Sequence, residues 1–229
     1  MTIHTAKLVH MTPEADEAIA KLARVSNPSN EDNRDTYPKL IRYLVDHNHW
    51  SPFETVHATV EVNTTRDIGR QLLRHRSFSF QEFSGRYAAY GELLTTRECR
   101  FQDPKNRQAS LQATTDDEET VRWWNEMVGI HAATAMAFYE QALERGVAKE
   151  QARAILPEGL VPTRMYVAGS IRSFIHYCRE RLQPGVQKEH QLLAGEIFSA
   201  VFMELPLTYS ALEGYLEGPT FAQVASARG

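Results

Sequence analysis

Residues 56–63 read Val56-His57-Ala58-Thr59-Val60-Glu61-Val62-Asn63. Apolar side chains take every second position and polar ones fill the places between. Successive side chains of an extended chain point to opposite faces, so this alternation predicts a strand with one face buried and one wet. A second stretch carries the other period. Asp116 to Arg145 opens on Asp116, Asp117, Glu118 and Glu119, where carboxylates meet the positive end of a helix, and Gly146 follows its last turn. Trp124, Met127, Val128, His131, Met136 and Phe138 fall along that helix.

Working outward, Ile3 to Val9 reads as a first strand. Pro13 opens a helix to about Val25, with Ala15, Ala18, Ile19, Leu22 and Ala23 on one face. Asn27 to Asn33 is rich in turn formers, and a helix follows from Thr36 to Asn48. A short helix is expected over Asp67 to His75, then irregular chain and short strands from Arg76 to Thr115. Lys149 to Ile155 forms a short helix stopped by Pro157, Leu160 to Ala168 a strand, and Ser170 to Arg181 and Gln187 to Glu204 two more helices. Helices scattered among few strands predict an α+β fold, here as a single domain over residues 1–229.

The 229 residues suffice to bury about 70% of the unfolded surface. With 42% hydrophobic and 24% charged residues, the chain is neither disordered nor fibrous. Met1 to Glu14 holds no apolar leader segment, and no apolar run is long enough to span a bilayer, so neither a leader nor a membrane span is expected. The net charge of −4 argues against a surface built for nucleic acid. Two cysteines, Cys99 and Cys178, fit a reducing cytoplasm better than a disulfide scaffold.

The basic residues are skewed, for 19 of the 25 are arginine. Arginine is favoured where planar anions are gripped by paired donors. Genomic composition alone also produces such a skew, so the positions matter more than the count. The densest group lies between Arg66 and Tyr87. Arg66, Arg70 and Arg74 recur every four residues and drift slowly around one helix side. His75 and Arg76 follow at the negative helix end. Ser77 to Tyr87 then adds hydroxyls, an amide, the carboxylate of Glu82, and Arg86, with Gly85 permitting close backbone approach. A solvated cationic helix end is the plain alternative. A non-enzymatic nucleotide or RNA binder is another, with Phe78, Phe80, Phe83 and Tyr87 as stacking platforms.

Arg74-His75-Arg76, seven residues, then Ser84 resembles the signature of the flavin-dependent thymidylate synthases. The likeness extends upstream through Ala23 to Ser26 and through His49, Ser51, Pro52, Phe53 and Glu54. Downstream it continues through Ala152, Arg153, Leu156 and Pro157, and through Arg172, Arg181, Gln187 and Glu189. The resemblance implies a mainly antiparallel sheet flanked by helices and methylation of deoxyuridylate (dUMP) to thymidylate (dTMP). It further implies methylenetetrahydrofolate as carbon donor, FAD reduced by NADPH as hydride source, and a homotetramer with shared active sites.

Position by position, the resemblance places Arg74, His75 and Arg76 on FAD, with Arg74 also near the nucleotide. Ser51 falls near the FAD phosphates, and Ser170, Ile171, Arg172 and His176 fall on further flavin positions where relatives often carry asparagine. Gln71, Glu82, Ser84, Gly85, Arg86 and Arg153 match nucleotide contacts, Glu82 being grouped with the cofactor positions as well. Arg181 matches the arginine that polarises the pyrimidine. His49 and Tyr87 match the flavin and folate region. Ser84 is either a nucleophile or a positioning hydroxyl, and the absence of a general base in the sequence favours positioning.

Thymidylate synthases that attack the pyrimidine with a cysteine carry a proline-cysteine motif. Nothing around Cys99 or Cys178 resembles it. Arg97 and Arg100 flank Cys99, whereas Cys178 reads as core filler in an amphipathic helix. His47, His49 and His57 lack the Cys, His or acid partners that a metal site needs, so no metal is expected. Trp123, Trp124, Met127 and Met136 read as core or subunit interface. Arg34, Arg107, Arg122, Arg145 and Arg228 take no assigned role.

Overall fold

The computed structural model describes residues 3–216, and Arg228 lies outside them. The chain divides into two compact units. Of the described residues, the larger comprises 4–62, 73–81 and 165–216, and the smaller comprises residue 3, 63–72 and 82–164.

The larger unit begins with β1 (Thr5–Met11), α1 (Ala15–Leu22), α2 (Tyr37–Asp46) and α3 (Ser51–Glu54). It also holds most of β2 (His57–Thr65), β3 (Ser79–Glu82) and β6 (Pro162–Ser170), then α7 (Ile171–Arg181), α8 (Lys188–Phe202) and α9 (Pro206–Leu212). The sheet order is β1-β2-β6-β3. Its pairings are antiparallel, as the bonds at the strand ends require. The start of β2 meets the end of β1 through Thr12 N–H to His57 O at 2.9 Å. The start of β2 also meets the end of β6 through Ile171 N–H to Val56 O at 2.8 Å, and its end meets the start of β6 through Arg66 N–H to Val161 O at 2.9 Å. The expected alternation is realised: Val56, Ala58, Val60 and Val62 are all buried. The core gathers them with Ile19, Ile41, Val45, Phe53, Phe174 and Ile175.

In the smaller unit, α4 (Arg66–Leu72) follows β2. A short antiparallel hairpin pairs β4 (Arg100–Gln102) with β5 (Ser110–Gln112). The unit is dominated by α5 (Glu118–Glu144), followed by α6 (Lys149–Ala152). A capping box closes the 3₁₀ turn Thr115–Asp117 that leads into α5, and there Asp117 Oδ2 accepts from both the Thr114 N–H and the Thr114 hydroxyl at 2.8 Å. Gly146 adopts φ +80° just past its end. Val128, Ala132, Ala135 and Tyr139 form its buried stripe.

The structure differs from the expected helix boundary at one place. The helix after β2 ends at Leu72, not His75, so Arg74 leaves the face shared by Arg66 and Arg70. Burial wins over helix continuation: Phe78 packs 4.8 Å from the Phe174 ring and lies so close to Gly169 that a Cβ there would stand 2.5 Å from it. The chain turns at His75, whose carbonyl accepts from Phe78 N–H. The aromatic residues of α5 also divide. Trp124 is half-buried and donates its indole N–H to Arg97 O at 2.7 Å, whereas Trp123 and Met127 are exposed, so of the expected core or subunit-interface roles only the interface is open to them. Cys178, by contrast, is fully buried as expected. Among the described residues no helix is long and apolar enough to cross a membrane, and no three His, Cys, Asp or Glu side chains converge on a metal position.

Candidate active site

The smaller unit carries a cationic cavity of about 400 Å³, lined by Arg66, Arg70, Tyr90, Glu150, Arg153 and Glu158. Arg66 and Arg70 reach it because residues four apart share a helix side. Arg70 is ion-paired with Glu158. Arg66 donates from Nη1 to the Tyr90 hydroxyl at 2.7 Å. Arg153, in a single 3₁₀ turn after α6, meets no carboxylate among the described residues. Glu150 also lines a second cavity of about 380 Å³ with Arg86, Tyr87 and Lys149. Its Oε2 stands 3.4 Å from Arg86 Nε, and Lys149 Nζ holds Tyr87 O at 2.9 Å. Arg86 and Arg153, expected at one nucleotide, thus line adjoining cavities that share one carboxylate.

The loop between β3 and Tyr90 is built as a turn around Ser84. The Ser84 carbonyl accepts from Tyr87 N–H at 3.1 Å and Ala88 N–H at 3.2 Å, and its hydroxyl accepts from Arg86 N–H at 3.4 Å. No imidazole or carboxylate bonds to that hydroxyl among the described residues. Gly85 is required by packing, for a Cβ there would stand 2.5 Å from the Tyr90 ring. Glu82 accepts from the Thr163 hydroxyl at 2.8 Å and is held beside β6. Gln71 lies half-buried in the last turn of α4.

In the larger unit, Arg181 closes α7 and donates from Nε to His75 Nε2 at 3.0 Å. His75 lies edge-on to the buried Tyr177 ring at 4.9 Å and to buried His190 at 6.4 Å. Burial, and then the Arg181 charge, pull the His75 pKa down to about 4, and the same causes with His75 and His4 pull His190 down to about 3. His75 is therefore neutral at pH 7, as an acceptor must be. Arg74 and Arg76 flank it, both exposed and without an acceptor among the described residues.

A second group in this unit surrounds the start of α7. Ser170 caps the helix by accepting from Ser173 N–H at 3.2 Å and donates its hydroxyl to Glu54 Oε2 at 2.7 Å. Arg172 bonds the other Glu54 oxygen. These two donors hold the Glu54 carboxyl below the usual carboxylate range. His176 stands edge-on to Trp50 at 5.2 Å; burial and the nearby Arg172 and Arg179 charges lower its pKa, and its buried Nε2 meets no partner among the described residues. Ser51 is exposed at the first residue of α3 and makes no cap bond. Ile171 is fully buried, with its N–H given to Val56 O, so it anchors the helix and presents no side chain. His49 is exposed, edge-on to Tyr43 at 5.8 Å.

A family model described as "Thymidylate synthase complementing protein" matches residues 7–207. The chain belongs to this family. It is 44% identical over 216 residues to a probable flavin-dependent thymidylate synthase of Paramecium bursaria Chlorella virus 1, covering 91% of this chain and 99% of that one. It is also 44% identical to the flavin-dependent thymidylate synthase of Synechocystis, covering 89% of this chain and 91% of the relative. Among solved structures, it resembles the UMP/dUMP methylase PolB from Streptomyces cacaoi bound with 5-Br dUMP. That likeness has a TM-score of 0.80 at 28% identity and covers 93% and 96% of the two chains.

Against this family background, several site residues were not foreseen. Arg66 and Arg70 stood out only by their spacing. Tyr90, Lys149 and Glu150 gave no sequence signal, because their roles depend on distant chain segments folding beside them. Glu54 belonged to the matching stretch without an assigned role, yet it organises Ser170 and Arg172. Phe78 is buried, which removes it from any stacking platform for RNA.

Proposed function

We propose that the chain converts dUMP to dTMP, with methylenetetrahydrofolate as carbon donor and NADPH-reduced FAD as hydride source. The observation that carries this reading is the pair of arginine-lined cavities at Arg153 and Arg86, found in a member of this family. The Arg153 guanidinium, which meets no carboxylate among the described residues, and the Arg86 guanidinium, paired at 3.4 Å with Glu150, lie beside nucleotide-sized space and suit a phosphate dianion, because arginine forks match its oxygens. In this reading Arg153, Arg86, Ser84 and the Gly85 backbone bind the nucleotide, with Gln71, Arg74 and Glu82 as further contacts.

The residues of the larger unit fit a flavin. Arg74 and Arg76 offer unpaired donors, Ser51 offers an exposed hydroxyl, and the partnerless Nε2 of His176 lies beside Arg172. Bound there, FAD supplies the redox chemistry that no side chain of this protein carries. Ser170, Arg172 and His176 would hold it, with Ile171 fixing the helix that presents them and His49 and Tyr87 bordering the flavin and folate region. Arg181 is the group proposed to meet the pyrimidine. Joining a carbon to C5 builds negative charge on the ring carbonyl and N3, and a fixed guanidinium stabilises it as it forms. His75 keeps one Arg181 donor engaged and, being neutral, leaves the positive charge undiminished.

The same proposal extends to one catalytic domain over residues 1–229 in the cytoplasm, working as a homotetramer with shared sites and no nucleic-acid partner. The exposed Trp123, Met127, Ile130 and Phe138 on α5 support assembly, since so much apolar surface at helical spacing is the kind that a subunit covers. The direct test of the cofactor is optical. The purified protein is expected to bind FAD, turn yellow and bleach when NADPH is added under anaerobic conditions. A colourless protein that takes up no added FAD would reject the reading.

A further inference from the structure

The cavity at Arg153 contains a second cation that the nucleotide reading does not use. Arg70 is neutralised by Glu158, and Glu150 is drawn toward Arg86. The charges left facing this space are therefore the guanidiniums of Arg66 and Arg153. Arg66 is fixed by one bond, from Nη1 to the Tyr90 hydroxyl at 2.7 Å. That acceptor is neutral, so it orients the guanidinium without cancelling its charge, and the remaining N–H groups stay available. Tyr90 is itself fixed on three sides. Its N–H donates to the Tyr139 hydroxyl at 3.1 Å, its ring lies 5.5 Å from that of Phe83, and the missing Cβ of Gly85 makes room for it.

We propose that Arg66 is a second anion-gripping residue of the nucleotide site, and that Tyr90 is the positioning residue that aims it. The tyrosine would also join this cation to the Ser84–Arg86 turn, because the face that packs on Gly85 and the hydroxyl that holds Arg66 belong to one rigid ring. Two cations, Arg66 and Arg153, match the double charge of a nucleoside monophosphate. This inference rests on the proposal that Arg153 lines the dUMP site.

The test is titration of the FAD-bound protein with dUMP, together with steady-state kinetics. Tyr90→Phe keeps the ring under Gly85 and removes only the hydroxyl; Arg66→Met removes the charge. The expected result is a Kd and KM for dUMP raised roughly tenfold in Arg66→Met and less in Tyr90→Phe, with kcat within about threefold. Tyr90→Phe should add little in the Arg66→Met background, and Arg66→Lys should recover part of the affinity. A purely structural role would lower the thermal midpoint without this KM-specific loss or its rescue. Unchanged dUMP affinity in both variants, while Arg153→Ala loses it, would overturn this inference alone. Unchanged affinity in Arg153→Ala as well would overturn the nucleotide reading of the cavity and this inference with it.

Discussion

Arg181 Nε lies 3.0 Å from Nε2 of His75, a histidine that burial and the neighbouring cation keep neutral. The bond joins the last residue of α7 to the turn after Leu72, so the expected pyrimidine-polarising arginine and the middle residue of the Arg-His-Arg signature form one unit. The neutral imidazole orients the guanidinium and leaves it cationic.

Arg181→Ala should therefore lower thymidylate formation by roughly 10²-fold, the range seen when one preorganised transition-state donor is lost. FAD affinity should change little. Steady-state turnover and FAD titration on the same preparation check this, and equal loss of both would contradict the assigned role.

The histidine cluster sets a pH dependence for stability. The folded pKa of His75 is about 4 and that of His190 about 3, against an ordinary value of 6.5. Because folding depresses these values, the unfolded chain takes up protons that the folded chain refuses. Stability is thus full above about pH 6.5 and falls as the pH drops toward 4 and then 3. Thermal midpoints measured across this window should decline, and His190→Leu should flatten the decline. An unchanged slope in that variant would exclude His190 as a contributor.

Arg74 and Arg76 are exposed and meet no acceptor within the described chain. Replacing either with alanine should leave stability within about 0.5 kcal/mol, as at other surface sites, while weakening flavin retention. Denaturant melts and FAD titration separate these effects, and FAD curves unchanged in both variants would remove the two residues from the flavin site.

Gly85→Ala places a methyl group 2.5 Å from the Tyr90 ring. Displacing that ring should cost about 1–3 kcal/mol, as overpacking does, and should weaken dUMP binding. Unfolding curves and dUMP titration check both parts.

Cys178 is fully buried, and burial raises its thiol pKa, which makes it a poor nucleophile. The double variant Cys99→Ser, Cys178→Ser should still form thymidylate when folded and loaded with flavin. A dead but folded, flavin-bound enzyme would require a cysteine mechanism.

Most of this fold is written in local pattern. The Val56–Val62 alternation and the acid-capped Asp116–Arg145 run needed no tertiary information, and both elements occur where the pattern put them. The elements that escaped depend on partners far along the chain. Helix α9 is seven residues long, and its first N–H groups are satisfied by Asp16, which accepts from Leu207 N–H at 2.7 Å and Thr208 N–H at 3.1 Å. Nothing near Pro206 announces that cap. Similarly, the family signature marked Arg74 to Arg86, but the placing of Arg66 depends on Tyr90, 24 residues on, and the organisation of Ser170 depends on Glu54, 116 residues back.

The central claim is tested most directly by anaerobic turnover of the FAD-loaded protein with dUMP, methylenetetrahydrofolate and NADPH, assayed for dTMP. Formation of dTMP should require all three substrates and be lost when FAD is removed. Flavin-loaded, folded protein that yields no dTMP, or dTMP made without flavin, would contradict it.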